Sequence, residues 1–106
     1  MSGTASANPA RGEAMLQLGD HAIVLRPGFA ALVAAEQEIG PLFDLVERAA
    51  GGRMGLAELA ALMWHCRVAE SCPLDREAFA EALAEVGLVA VTPALKTLLR
   101  QILQGR

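Results

Sequence analysis

The sequence predicts a mostly helical α+β domain: an N-terminal β-hairpin packed on a compact bundle of about five short helices. Three observations carry this. The hydrophobic period changes at Pro27-Gly28, from alternation before it to recurrence every three or four residues after Phe29. Apolar residues make up 54% of the 106, yet aromatics are 4% and tyrosine is absent. The core must therefore be built from Leu, Ala, Val and Met, which suits closely packed helices better than a β-sandwich. Glycine and proline punctuate the remainder at intervals of about one short helix.

Residues 1–12 are small and polar and are expected to form a disordered arm. The remainder, 13–106, reads as a single globular domain: a hairpin over 13–26 and a helical part over 28–104. Gly19-Asp20 suits a two-residue turn with glycine first. That register pairs Leu18 with His21, Leu16 with Ile23 and Ala14 with Leu25 on one oily face, and sets Glu13 opposite Arg26. A lone hairpin is marginal in water, so this face must pack on helices or join another chain's sheet.

After Pro27-Gly28, the residues Phe29, Leu32, Val33, Glu36 and Ile39 follow helical spacing up to Gly40. Pro41 opens a second helix to about Ala50, using Leu42, Leu45 and Val46, with Asp44 and Arg48 one turn apart. Gly51-Gly52 ends it, and a third helix covers roughly Gly55 to Glu70. Asp75 is a natural N-cap for a fourth, which Gly87 stops. Leu88 to Val91 reads as a short apolar link. Thr92-Pro93, an N-cap followed by proline, opens a last helix to Gln104.

Composition excludes several functions. A formal charge of −3 provides no basic excess for phosphates, so no nucleic-acid partner is expected. No stretch approaches the ~18 apolar residues of a membrane span, and the first residues lack the apolar segment of a secretory signal. The cytoplasm is the expected location, and there Cys66 and Cys72 are expected to be free thiols.

No catalytic, cofactor or metal constellation stands out. His65, Cys66 and Cys72 are too few for zinc, and adjacent helical residues point ~100° apart, so His65 and Cys66 cannot act as base and nucleophile. Glu36 lies in line with the apolar residues of its helix and is expected to pair with Arg26 or Arg53. The segment Gly51-Gly52-Arg53-Met54-Gly55 lacks the spacing of a phosphate loop.

The helical faces are more informative about binding. On the third helix Leu56, Leu59, Ala60 and Met63 form one stripe, flanked by Leu62 on one side and by Trp64 and Val68 on the other. An apolar arc this wide means either a central helix covered on several sides or an exposed Trp64/Val68 edge for a partner. The last helix carries Leu95, Leu98, Leu99, Ile102 and Leu103 on one side, while Lys96, Arg100 and Arg106 face no acidic residue after Glu85. It either docks on the core or binds another protein. The candidate protein-binding residues are thus Trp64, Val68, Leu98 and Ile102.

The opening NPARGE, the turn-containing hairpin, LRPGFAALVAAEQEIG and GGRMGLAELAALMW come in a particular order and spacing. With them, residues 10–106 resemble the small tail protein of alphaproteobacterial gene transfer agent clusters, a family described both as a phage tail tube protein and as a tail assembly chaperone. Two departures stand out: Gly28 where Thr or Ser is more usual, and His65-Cys66-Arg67-Val68 where a glycine-rich helix end is expected. The resemblance implies a non-enzymatic part in building a headful-packaging, phage-like particle. As a chaperone the protein would bind the long helical tape measure protein until tube subunits polymerise around it. As a tube component it would be incorporated in the particle and need far more strand than one hairpin supplies. A homo-oligomer is a further expectation, and a small helical protein-binding adaptor unrelated to tails is the alternative outside the family.

Overall fold

The computed structural model describes residues 12–105. The expected disordered arm lies outside them, apart from Gly12. Strands β1 (Ala14–Leu18) and β2 (His21–Leu25) form an antiparallel hairpin in the expected register, with Leu16 opposite Ile23 and Leu18 opposite His21. Gly19 takes φ 60°, the positive value that a mirror-image hairpin turn requires of its first residue. Ala14, Leu16, Leu18, Ile23 and Leu25 are buried beneath the sheet, and Arg26 Nε donates to Glu13 Oε2 at 2.6 Å across the open end.

Five helices follow: α1 (Phe29–Ile39), α2 (Leu42–Ala50), α3 (Leu56–Cys66), α4 (Arg76–Val86) and α5 (Leu88–Gln104). Asp75 caps α4 as expected, its Oδ1 accepting the Ala78 N–H at 2.8 Å. The central element is α3, which packs on α1 and α4; α4 and α5 close the underside of the hairpin. Phe79, Leu62, Met63, Leu83 and Leu98 join the hairpin leucines in one continuous core.

Two boundaries differ from the expected ones. Helix α3 stops at Cys66 rather than near Glu70. Its next residues turn along the outer edge of β2, where Cys66 O accepts the Arg26 N–H at 2.6 Å and the Val68 N–H donates to Val24 O at 2.8 Å. A single 3-10 turn over Ala69–Ser71 completes this strip, and Ser71 Oγ accepts the Val24 N–H at 2.9 Å. Tertiary pairing to an otherwise open strand edge thus outweighs helix propensity.

Helix α5 begins at Leu88, so the expected link is its first turn and Pro93 sits inside it. Burial of Val91 holds that turn on the core. The Thr92 hydroxyl, expected as a cap, instead donates to Leu88 O one turn back at 2.7 Å, and Thr97 does the same to Pro93 O at 3.1 Å.

Candidate protein-docking groove

Two of the three phenylalanines lie at the surface. Phe29, the first residue of α1, is 86% exposed and Phe43 on α2 is 79% exposed, whereas Phe79 is fully buried. Helical geometry explains the placement. At ~100° per residue, the buried line of α1 runs through Ala35, and Phe29 shares the outward face with Glu36, seven residues on. On α2, Leu45 points inward, Leu42 and Val46 flank it, and Phe43 is turned out. At the end of α5, Leu98 is buried, Ile102 half-buried and Leu103 57% exposed.

These three faces enclose a groove of about 230 Å³ lined by Leu32, Glu36, Leu42, Phe43, Val46, Ile102 and Leu103. Its lining is apolar except for Glu36. The volume falls below the few hundred Å³ usual for cofactor sites and matches one or two inserted side chains. A second apolar groove, about 250 Å³, opens where Met54 and Leu59 meet Leu88, Val91 and Leu95 at the start of α5.

Charge is arranged away from the floors of these grooves. Glu38 on α1 binds both Arg76 of α4 and, at 2.8 Å, His65 of α3. Those hydrogen bonds, that to Arg76 foremost, hold its carboxyl down at about 2. Arg48 of α2 pairs with Glu58 of α3 rather than with Asp44, and that contact lowers the Glu58 pKa, helped by the Gly55 N–H. Glu36 pairs with neither Arg26 nor Arg53. Its Oε2 accepts the Leu42 N–H at 3.1 Å and so satisfies an open donor at the start of α2, where Pro41 has no side chain able to cap.

The sequence-derived binding residues separate in space. Leu98 lies beneath the α5 stripe, 0% exposed, and offers no surface. Ile102 lines the first groove. Trp64 is half-buried on α3, with Phe79 edge-on at 5.5 Å and the Arg67 guanidinium over its ring. Val68 is engaged with β2 through its main chain. Helix α3 is the central one, with Leu59, Ala61, Leu62, Met63 and Cys66 all buried. Cys66 is a buried thiol pushed up to about 12 by desolvation, and Cys72 Sγ points to Leu74 O. Among the described residues no three His, Cys, Asp or Glu side chains converge as a metal set. Sequence reasoning missed Phe43; the available signal was a large aromatic lying outside its helix's apolar stripe.

The surface is apolar and held by short helices. A family model described as "Phage tail tube protein, GTA-gp10" matches residues 11–105. The chain belongs to this family. No curated protein and no solved structure matches it. Membership ties the protein to gene transfer agent and phage tails, and makes other tail proteins its expected partners. Among the described residues the fold is a two-stranded hairpin on five α-helices. Among the described residues no single helix is long and apolar enough to cross a membrane.

Proposed function

We propose that the protein is a non-enzymatic tail assembly chaperone, acting in the cytoplasm, that binds a tape measure protein during tail morphogenesis. The observation carrying this reading is the exposure of Phe43 and Leu103 at the α1–α2–α5 groove. Apolar side chains grouped this way on a small domain are costly in water and mark contact surfaces. A groove between helices accepts the apolar face of an amphipathic helix. Its small area favours a modest affinity, which suits a chaperone that polymerising tube subunits must displace.

A second reading, a structural tail component, is favoured by the family's description and by β1. The strip after α3 occupies the outer edge of β2, but no described residue bonds the outward main-chain groups of Met15 and Gln17. That edge could receive a strand of another subunit.

Co-purification of the tagged chain with the tape measure protein of its own gene cluster tests the first reading. A soluble complex, with the chain absent from finished particles, is the expected result. Rings or filaments of the chain alone, and no complex, would establish the structural reading in its place.

A further inference from the structure

The two apolar grooves are opposite ends of one seam, and we infer that this seam docks a single amphipathic helix of another chain in a fixed register. The docked helix carries bulky apolar side chains at positions i and i+11, basic residues along one flank and acidic residues along the other. This rests on the reading of the protein as a binder of a helical tail protein; it adds where that helix lies and which side chains it must present.

The seam follows from the linings. One groove takes Leu42 and Val46 from the start of α2 and Ile102 from the end of α5. The other takes Ala49 from the end of α2 and Val91 from the start of α5. The two helices therefore run antiparallel alongside each other with a groove at each end. On α2, Leu42, Val46 and Ala49 fall on one line of the surface, and on α5 Leu95, Leu99 and Leu103 fall within one arc. Between the two lined stretches of α5, Leu99 continues the line of Leu95 and Leu103.

Val91 and Ile102 are eleven residues apart, which is about 16 Å of helix axis. A helix laid along the seam would span the same distance in eleven residues. Eleven residues also make three turns plus ~20°, so residues i and i+11 leave it on the same face. Side chains at i+4 and i+7 would pass over Leu95 and Leu99. A shorter repeat would reach one groove and miss the other.

The walls decide the flanks. Beyond Phe43 on α2 comes Glu47, and Glu36 stands on the same side at α1, where it lines the first groove. Beyond Leu103 on α5 comes Lys96, the helical wheel setting it with Glu47 at the seam's two edges, whereas Arg100 lines the pocket on the hairpin side of α5 with Glu13 and Met15. None of them forms an ion pair among the described residues, whose pairs are Arg26–Glu13, Arg48–Glu58, His65–Glu38 and Arg76–Glu38. Walls of opposite sign favour a helix with Lys or Arg facing α2 and Asp or Glu facing α5. Such complementarity fixes rotation and direction more than it adds affinity.

The test uses the full chain and two sets of fluorescent peptides. One set is overlapping 24-residue peptides covering the tape measure protein of the same gene cluster. The other is a designed 18-residue helix with leucines at i, i+4, i+7 and i+11, lysines on one flank and glutamates on the other. Binding is read by anisotropy for the native chain and for Phe43→Glu and Leu88→Glu, one at each groove. Both substituted side chains are largely exposed, and circular dichroism confirms each variant's fold. Micromolar binding is expected, weakened at least tenfold by either variant and by Leu→Ser at i+11 of the peptide. Loss in only one variant, unchanged binding in both, or no binding by either peptide set overturns the two-groove register. So does a self-associating chain that either variant returns to monomer, since a second copy would then hold the seam. If the designed helix binds as stated and no tape measure peptide does, the seam stands and the chaperone reading fails. If the tape measure protein co-purifies with both variants undiminished, the chaperone reading stands and the seam fails.

Discussion

Arg67 sits over Trp64: its guanidinium carbon is 3.3 Å from the ring centroid, and its Nη1 donates to the Trp64 carbonyl oxygen at 2.8 Å. Phe79 meets the same ring edge-on, 65° from its plane. The indole thus ties α3 to α4 and to the strip that covers β2. Trp64→Ala removes a half-buried aromatic and a cation–π contact, for an expected loss of about 2–3 kcal/mol. In a domain of this size that lowers Tm by roughly 10 °C or more. Calorimetry of the variant checks it. An unchanged melt with partner binding abolished would make Trp64 an interface anchor instead.

Ser71 closes the other end of that strip. Its hydroxyl accepts the Val24 N–H at 2.9 Å and donates to Val68 O at 2.7 Å. Val24 is buried, so Ser71→Ala leaves a main-chain donor with no partner and little water. Such a loss costs about 1–3 kcal/mol. Hydrogen exchange should locate it, with the Val24 amide exchanging faster while amides of α4 change only through global stability. Equal protection at Val24 in both proteins would show that the hydroxyl is dispensable.

Acid should loosen the links between helices. Glu38 titrates at about 2 in the folded chain against 4.5 ordinarily, because Arg76 and His65 bond its carboxylate, and Glu58 is shifted the same way by Arg48. A depressed folded value means the contribution is fully present above pH ~4.5 and is lost as pH falls toward ~2. Tm is therefore expected to be flat from neutrality to about pH 5 and to decline below it. Glu38→Gln should start lower at pH 7 and decline less. Parallel pH profiles for the two proteins would rule out this role for Glu38.

The hairpin is expected to be part of the fold's core rather than an appendage. Leu16, Leu18, Ile23 and Leu25 are all but inaccessible beneath it, packed in one cluster with Leu98 and Phe79. Leu16→Ala should cost about 2–5 kcal/mol through the cavity it leaves. Deletion of residues 13–26 should unfold the chain, as seen by far-ultraviolet circular dichroism. A folded, monomeric deletion variant would assign the hairpin to assembly instead.

Much of this fold was legible because local signals agreed with the tertiary solution. The change of period at Pro27-Gly28, the glycine in the hairpin turn and the Asp75 cap each mean the same thing in isolation as in the folded chain. Legibility failed where a residue had two chemically reasonable partners. Arg67 and Val68 could have continued α3 but instead pair with β2, a choice made by a strand edge more than forty residues earlier. Thr92 could cap or bond back, and burial of Val91 decided it. Glu36 was readable as a charge on an apolar line but not as a cap for the next helix. The groove was half legible: Ile102 followed from the α5 stripe, whereas Phe29 and Phe43 are exposed only because α1 and α2 bury smaller side chains.

The two thiols should differ sharply in reactivity. Cys66 is 1% exposed among Leu and Met side chains, and burial pushes its thiol up to about 12 from 9.0. The thiolate is the reactive form, so Cys66 should stay inert at pH 8 both because it is protonated and because reagents cannot reach it. Cys72 is only half-buried, in the loop before α4, and has no such shelter. Titration with a chromogenic disulfide in native buffer is expected to count one thiol promptly and the second only after denaturant is added. Cys72→Ser should abolish the prompt signal, whereas Cys66→Ser should preserve it. Prompt reaction of both thiols in the folded protein would mean that α3 opens locally far more often than its packing implies.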